Sequence, residues 1–477
     1  AYGRKLLADS SASRDGDDEA GVDVKFVDFT VWTNGPRGVI NRSVVEINNG
    51  KIVSVEPNEV DDDDPFPGVS NAAERNHITP GLIDAHSHIA TDGGINEGTQ
   101  SVTCEVRIGD FIDPDDISIY RQLAGGVTSA LVLHGSANPI GGQAQTIKFR
   151  WGQGPEALKF DGAKPAVKWA LGENVKQANW GDRFTTRYPQ TRMGVQEIFA
   201  DSLRAGLAYK QARADFEENG GLPVRRDLEL DAVVEMLDGD RIIHCHSYRS
   251  DEILATMRTL EQFGVRMNTF QHILEGYKVA PEMAEHGAMA SAFSDWWAYK
   301  FEVYDSIPYA GSIMHDAGIV VTFNSDDAEL ATRLNTEAAK AVKYGGVDEV
   351  EALKFVTLNA AIQLGISDRV GSLEPGKDAD FVVWSGHPLD STSVVEQTWI
   401  DGVKVFDREE HNAAMQRNAE MKAALIQKVL ASGQPVAEPG ENEPRPGALW
   451  PRHDEFCHGH GHDHGHGDSG HDHGHDH

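Results

Sequence analysis

The 477-residue chain carries 75 acidic against 43 basic residues, which gives a formal net charge of −32. Because phosphate binding draws its affinity from Lys and Arg, this balance argues against a nucleic-acid partner and an anionic membrane surface. No apolar run approaches the roughly 18 residues that a membrane-spanning helix requires. We therefore expect a soluble protein without a membrane span.

The three cysteines, Cys104, Cys245 and Cys457, are odd in number and form no close pair, so they predict no disulfide framework. Residues 1–21 are too polar to pack and are predicted to be disordered. Their acidic stretch at 9–19 is typical of what remains after a targeting segment has been removed. We expect an extracytoplasmic protein, secreted or periplasmic, with a cytoplasmic location as the alternative.

A small β-rich unit is predicted from both ends of the chain. After residue 22, short runs rich in Val, Ile, Phe and Thr are separated by Asn-Gly pairs at 34–35 and 49–50, which are typical of hairpin turns. A similar pattern returns at 370–406. We expect residues 22–78 and 368–408 to form one composite β-sandwich domain.

Between these segments, residues 79–367 alternate strand and helix patterns in the way that builds a parallel sheet wrapped by helices. Several strands end in polar or charged residues, and the carboxyl ends are where a (β/α)8 TIM barrel carries its active site. The predicted fold class is therefore α/β, with a (β/α)8 barrel. Its candidate strands are 83–90, 127–133, 145–149, 166–171, 241–246, 266–272, 288–293 and 319–324.

The C-terminal part is predicted to be a helix at 409–432, a Pro/Glu/Gly linker at 433–457 and a low-complexity tail at 458–477. Nine of the twenty tail residues are His, alternating mostly with Gly and Asp. Because imidazole suits Zn, Cu and Ni, we interpret this as a metal-gathering tail, with a purification tag as the alternative.

The first barrel strand delivers two histidines, His86 and His88, at a spacing of two. Residues i and i+2 of a strand point the same way, so both imidazoles leave one face and can bind one metal ion. The pattern predicts a divalent metal site, with zinc as the expected ion.

Taken with the motifs that follow it, this run resembles the amidohydrolase superfamily of metal-dependent hydrolases, in its imidazolonepropionase-like and prolidase-like branch. The resemblance covers about residues 22–408. It rests on Pro-Gly-Leu-Ile-Asp-Ala-His-Ser-His at 80–88, Gly-Gly-Val-Thr-Ser at 125–129, His-Cys-His at 244–246, Gln-His-Ile-Leu-Glu-Gly-Tyr-Lys at 271–278, Asn-Ser-Asp at 324–326 and Val-Gly-Ser-Leu-Glu-Pro-Gly-Lys-Asp-Ala-Asp at 370–380.

The resemblance implies metal ligands at the ends of four barrel strands. Imidazoles and one carboxylate would hold the ion and leave a position open for water. The carboxylate would also be the catalytic residue, a general acid/base that takes a proton from the water and passes it to the leaving nitrogen. Carried onto this chain, the ligands are His86 and His88 from the first strand, His244 from the fifth, His272 from the sixth and Asp326, the acid/base, from the eighth.

Two positions stay open at this stage. His246 shares a strand face with His244 and is either a substrate contact or an alternative ligand. Binuclear members of the superfamily bridge two metals with a carboxylated Lys or with a Glu on the fourth strand, where this chain offers Lys168 and Glu173. We expect Glu173, which lies nearer the carboxyl end and needs no modification, with Lys168 as the alternative. The site would hold one or two ions.

The predicted function is metal-dependent hydrolysis of a C–N bond in an amide, a peptide or a cyclic amide. Arg249 and Lys278 are candidates for binding a substrate carboxylate. The expected partner is a small-molecule or dipeptide-like substrate, and a homo-oligomer is possible. One alternative is a mononuclear cyclic amidase or deaminase; another is a secreted, non-catalytic metal-binding or assembly protein on the same scaffold.

Overall fold

The computed structural model describes residues 24–58, 76–91, 94–177, 187–295 and 301–432. The predicted disordered lead, the linker at 433–457 and the His-rich tail at 458–477 lie outside these residues. Within them the strands are β1 (Val24–Trp32), β2 (Val39–Asn48), β3 (Lys51–Pro57), β4 (His77–Pro80), β5 (Leu82–Ser87), β6 (Val127–Val132), β7 (Ile140–Lys148), β8 (Ala166–Ala170), β9 (Ile242–His246), β10 (Thr269–Gln271), β11 (Met289–Ala292), β12 (Val321–Phe323), β13 (Phe381–Trp384), β14 (Val395–Ile400) and β15 (Val403–Asp407).

The α-helices within the same ranges lie mostly between the strands from β5 to β13. They are α1 (Ile117–Leu123), α2 (Pro155–Leu158), α3 (Arg192–Asn219), α4 (Leu228–Asp238), α5 (Ser250–Glu261), α6 (Ala280–His286), α7 (Ala310–Asp316), α8 (Leu334–Gly345), α9 (Glu349–Lys354), α10 (Leu358–Gln363) and α11 (Arg408–Ala431).

The two ends of the chain build one seven-stranded sheet, in the order β15-β14-β13-β4-β1-β2-β3. Asn49 and Gly50 form the tight turn between β2 and β3, both at positive φ, as the Asn-Gly signal predicted. The rings of Phe26, Phe381 and Trp399 pack together in its core, with Phe381 stacked on Trp399 at 5.5 Å. The β-rich unit is therefore held together by strands from both ends.

The barrel is an eight-stranded sheet that runs in chain order from β5 to β12. All eight predicted strands are confirmed in position, but β7 is antiparallel to both of its neighbours. A parallel strand requires a crossover of about a dozen residues or more, whereas β6 and β7 are joined by residues 133–139 without a helix. The short connection explains this departure from the regular (β/α)8 pattern.

The first and last barrel strands meet through a short segment of the chain rather than through a direct ladder. Phe323 in β12 donates its backbone N–H to the Phe355 carbonyl at 3.0 Å, and Ile83 in β5 donates to the Val356 carbonyl at 2.9 Å. Residues 355–356 therefore lie between the two strands. The metal-ligand candidates of β5 and the Asp326 loop are brought together at this seam.

A buried ion-pair network joins the barrel to the β-rich unit. Lys148, at the end of β7, is fully buried, and its Nζ lies 2.8 Å from Asp378, 3.0 Å from Asp380 and 2.6 Å from Asp401. Arg150 pairs with the same Asp401 at 2.7 Å from a more exposed position. The closing Lys-Asp-Ala-Asp motif at 377–380 therefore serves the contact between the two parts.

Helix α11 begins at a capping Asp407, whose side chain accepts hydrogen bonds from the backbone N–H groups of Glu409 and Glu410. It corresponds to the predicted C-terminal helix. None of the described helices combines the length and the apolar composition that crossing a bilayer requires.

Candidate active site

The carboxyl ends of the barrel strands carry the predicted site residues to one rim. The β8–β9 register sets Lys168 beside His244, and the β9–β10 register sets His246 beside Gln271. His272 follows β10 directly, and Asp326 follows β12 after a two-residue link. Parallel strands place residues of equal register side by side, which is why residues far apart in the chain meet here.

Three ligand-type side chains, those of His86, His88 and Asp326, converge on one point. The Nε2 atoms of His86 and His88 lie 3.3 Å apart, and Asp326 Oδ1 lies 3.3 Å from the first and 3.0 Å from the second. His272 approaches with its Nδ1 3.6 Å from Asp326 Oδ2. One ligand atom from each of His86, His272 and Asp326 falls within 4.8 Å of the others. Imidazole nitrogens with one carboxylate are a donor set that zinc binds.

Burial and neighbouring charge set the protonation of these groups. Burial, together with the charge of Lys168, lowers the pKa of His86 well below its usual value. Burial alone would raise the pKa of Asp326, but the imidazoles of His272 and His88 and the ammonium of Lys168 hold it below its usual range. The site thus presents the neutral imidazole of His86 and an ionised carboxylate to one another. A divalent cation between them would relieve this repulsion, so the residues fit a metal ion.

The structure places Lys168, the alternative to Glu173, against this cluster. Lys168 Nζ lies 3.1 Å from His86 Nε2 and is fully buried. Gly172, at a φ of 80°, turns the chain out of β8, so that the backbone N–H of Glu173 donates to Glu302 at 2.9 Å. Among the described residues, Glu173 is not part of the group formed by His86, His272 and Asp326.

The two histidines of β9 differ in what they touch. His246 Nδ1 lies 2.6 Å from His272 Nε2. His244 Nδ1 lies instead 2.9 Å from the side-chain nitrogen of Gln271. The structure therefore brings His246 into direct contact with a ligand candidate, whereas His244 contacts Gln271, which in turn contacts His86.

Two buried residues that sequence reasoning did not assign hold the ligand candidates. The Gln271 amide oxygen accepts the Nδ1–H of His86 at 3.1 Å. Asp84 accepts the backbone N–H groups of His86 at 3.2 Å and Ser325 at 3.1 Å. Their positions in the sequence, directly before His272 and two residues before His86, were the available signal. Metal-binding imidazoles usually have such an outer partner, which fixes the tautomer and the ring orientation.

The backbone is strained at two of the ligand candidates. His272 has a φ of 40° and Asp326 a φ of 47°, in the left-handed region that residues other than glycine rarely adopt. Such conformations cluster at functional sites, where the surrounding structure enforces them. The His272 ring lies between Tyr248 and Phe293, with ring centroids 5.8 Å and 5.5 Å away.

Arg249 and Lys278 do not offer unpaired cations to a substrate carboxylate. Arg249 forms a two-pronged ion pair with Asp251 at 3.0 and 2.8 Å. Lys278 pairs with Asp305 at 2.6 Å and with Glu275 at 3.3 Å. Because acids already hold both side chains, Asp251 two residues after Arg249 in the chain and Asp305 from a different loop beside Lys278, the expectation that they bind substrate is not supported by their contacts.

Comparisons with known proteins point to one family. The family model described as "Amidohydrolase family" matches residues 229–424. The crystal structure of an amidohydrolase from Thermotoga maritima MSB8 is 33% identical, with a TM-score of 0.72, and the match covers 80% of this chain and 100% of that chain.

Two sequence relatives span most of this chain. The amidohydrolase tasK of Hapsidospora irregularis is 31% identical over 396 residues, which are 76% of this chain but only 40% of the length of that relative. An imidazolonepropionase of Thermoplasma volcanium is 29% identical over 402 residues, which are 77% of this chain and 92% of that relative.

Proposed function

We propose that this chain, which belongs to the amidohydrolase family, is a metal-dependent hydrolase of a C–N bond in a small amide, a peptide or a cyclic amide. The observation that supports this best is the convergence of His86, His88, His272 and Asp326 beside the buried Lys168. The relative from Thermoplasma volcanium, an imidazolonepropionase, favours a cyclic amide among these substrates.

The side chains of the cluster have distinct roles in this proposal. His86, His88, His272 and Asp326 would hold a divalent ion, zinc being the expected one, and Lys168, 3.1 Å from His86, would be the bridging ligand in a site with two ions. When bound, such an ion supplies a Lewis acid and makes a nearby water acidic enough to react at neutral pH.

Asp326 would move the proton. Its carboxylate lies at the mouth of the barrel within 3.0 Å of His88 and is held ionised by its neighbours. It could accept a proton from the attacking water and return it to the leaving nitrogen, the role of a general acid/base. Tyr248 and Phe293, which flank His272, are buried and would hold its ring in place.

The experiment is a hydrolysis screen with zinc content measured on the same samples. The panel contains dipeptides, acylated amino acids and cyclic imides, with the Asp326→Asn variant as the inactive control. We expect hydrolysis of one of these classes, lost on chelation and restored by zinc. Two ions per chain would support the bridged site, and one would favour the mononuclear amidase or deaminase. Zinc binding without turnover of any compound would favour the non-catalytic alternative and contradict the proposal.

A further inference from the structure

The turn at residues 301–304 has its polar and apolar side chains in reversed positions. Glu302 is only 7% exposed, whereas Phe301 is 91% and Tyr304 77% exposed. The two aromatic rings lie side by side, with their centroids 6.3 Å apart. Proteins usually bury aromatic side chains and expose carboxylates, so this reversed arrangement is typical of a binding surface rather than of packing.

The turn is anchored beside the candidate metal ligands. Val303 is fully buried in a small apolar cluster that includes Tyr248 and Phe293. The rings of these two residues flank the imidazole of His272. The exposed aromatic residues on both sides of Val303 in the chain are therefore attached to the packing that surrounds the site.

An ion pair joins this turn to the segment that follows β8. Glu302 pairs with Arg192, the first residue of α3, and Arg192 also pairs with Glu252 at 3.1 Å. The turn follows β11 and α3 follows β8, and β9 and β10 lie between these two strands in the sheet. The contact therefore connects two loops of the rim on which His246 and His272 lie.

The same contact brings further exposed apolar side chains to the turn. Met193, next to Arg192, is 80% exposed. The exposed Tyr188 ring lies against Gly194, where a Cβ atom would be only 3.0 Å from it. Single exposed apolar residues are ordinary on a protein surface, but a group of them beside a candidate site indicates binding. We call this group the apolar rim, and it consists of Tyr188, Met193, Phe301 and Tyr304.

The cations near the apolar rim already have acidic partners. Arg192 is held by two carboxylates, Arg249 pairs with Asp251, and Lys278 pairs with Asp305. An anionic group of a substrate would therefore find no unpaired cation among these three side chains. An uncharged apolar group would instead remove aromatic surface from water, which is favourable. The charges thus favour an uncharged, apolar occupant.

We propose that the apolar rim is a specificity surface, which binds an uncharged apolar group of the substrate remote from the scissile C–N bond. An aromatic side chain or an acyl chain has this chemistry. The inference rests on the proposed function and narrows its substrate class to amides that carry such a group. It also explains why aromatic side chains are kept in water at this edge of the site, because the bound substrate would cover them.

The test compares two probes that differ only in a phenyl ring, butyrohydroxamate and phenylbutyrohydroxamate, whose common hydroxamate group chelates zinc. Their affinities are measured by calorimetric titration of the zinc-loaded full chain. The wild type should bind the phenyl probe about tenfold more tightly, because the rim would take much of its ring out of water. Phe301→Ser should lose most of this preference and bind butyrohydroxamate as the wild type does.

Leu222→Ser is the matched control. Leu222 is 92% exposed, but it lies beyond the far end of the 28-residue α3, so its replacement should leave both affinities unchanged. A zinc-loaded wild type that does not prefer the phenyl probe, or a preference that Phe301→Ser retains, overturns the inference while leaving the metal-dependent function intact. A wild-type chain that takes up no zinc overturns the proposed function itself.

Sedimentation of the wild type and of Phe301→Ser tests the other possible occupant, a second copy of the chain. We expect the two proteins to sediment alike, because the rim is kept free for substrate. A wild-type dimer that dissociates in Phe301→Ser would assign the apolar rim to a subunit contact and contradict the inference.

Discussion

Asp84 and Ser325 join the first and last strands of the barrel at the edge of the candidate site. The carboxylate of Asp84 accepts the Ser325 hydroxyl at 2.5 Å and the Ser325 backbone N–H at 3.1 Å, and it also accepts the backbone N–H of His86. Asp84 is fully buried, and burial raises its pKa to about 6 in spite of these hydrogen bonds. One side chain therefore sets the distance between His86 and the loop that carries Asp326.

Replacing Asp84 by Ala should destabilise the protein and weaken metal binding together. The change leaves three buried donors without an acceptor, and each such group costs about 1–3 kcal/mol. Asp84→Asn is the matched control, because its oxygen still accepts both backbone N–H groups and its nitrogen can donate to the Ser325 hydroxyl. The urea concentration at the unfolding midpoint and the zinc affinity should both fall much further in the Ala variant than in the Asn variant. Equal behaviour of the two variants would show that the hydrogen bonds of Asp84 do not hold the seam.

The barrel could be predicted because its strands are short apolar runs with polar carboxyl ends, such as the run that leads into His86 and His88. The direction of β7 could not be read from its own residues, since it is decided by the length of the connection before it. The ion pair of Arg249 with Asp251 was visible as a two-residue spacing, whereas Asp305, the partner of Lys278, is brought in only by the fold.

The choice between ligand candidates depended on side-chain direction. Lys168 reaches the cluster because the β8–β9 register places it beside His244, and Gly172 turns the chain away before Glu173. The order of residues within a strand predicts which face of the sheet a side chain lies on. It does not predict which residue of the neighbouring strand lies beside it. For the same reason the role of the Gln271 amide could not be predicted from its motif alone.

Lys168→Met should lower the zinc content of the purified protein, whereas Glu173→Gln should leave it unchanged. Lys168 Nζ lies 3.1 Å from His86 Nε2, so its loss removes a group that touches the cluster, while Glu173 begins the turn beyond it. Metal analysis at several zinc concentrations measures the difference. If Lys168 bridges two zinc ions, the Lys168→Met variant should lose one ion per chain. A Gln variant that loses zinc while the Met variant keeps it would restore Glu173 as the ligand.

Lys148→Met should destabilise the protein by about 3–5 kcal/mol, the cost of breaking a buried ion pair by removing one partner. The change leaves Asp378, Asp380 and Asp401 without the cation that contacts all three. Arg150→Met is the control, because it also loses a pair with Asp401 but from a partly exposed site, where such pairs contribute about 1 kcal/mol or less. Denaturant midpoints of the two variants measure the difference.

The Lys148 variant should also depend on pH in a definite direction. Burial raises the pKa of Asp380 to about 6, above the usual 3.8, so the folded state binds this proton more tightly than the unfolded chain does. Its contribution to stability therefore falls as pH rises from about 4 through 6. Without Lys148 the fall should extend to higher pH, so the variant should lose more stability than the wild type between pH 5 and pH 8. A constant difference across that range would contradict this account of the network.

Asp326 and His86 are expected to fail in different ways when replaced. His86→Ala removes a ligand, so zinc affinity should fall and excess zinc should restore part of the activity. Asp326→Asn keeps the shape of the side chain and one ligating oxygen, and Asn tolerates the positive φ of 47° at this position. It should keep its zinc while the rate falls by about 10²–10⁴, the usual contribution of general acid–base catalysis.

Zinc content and rate are measured for both variants over a series of zinc concentrations. Excess zinc should not rescue Asp326→Asn, because the proton acceptor and not the ion is missing. The contrast rests on geometry: Asp326 contacts His86, His88 and His272, so it is the one carboxylate placed to serve both as ligand and as proton carrier among the described residues of the cluster. An Asn variant that keeps its zinc and more than about a tenth of the wild-type rate would rule out Asp326 as the proton carrier, since a general acid–base residue contributes more than that.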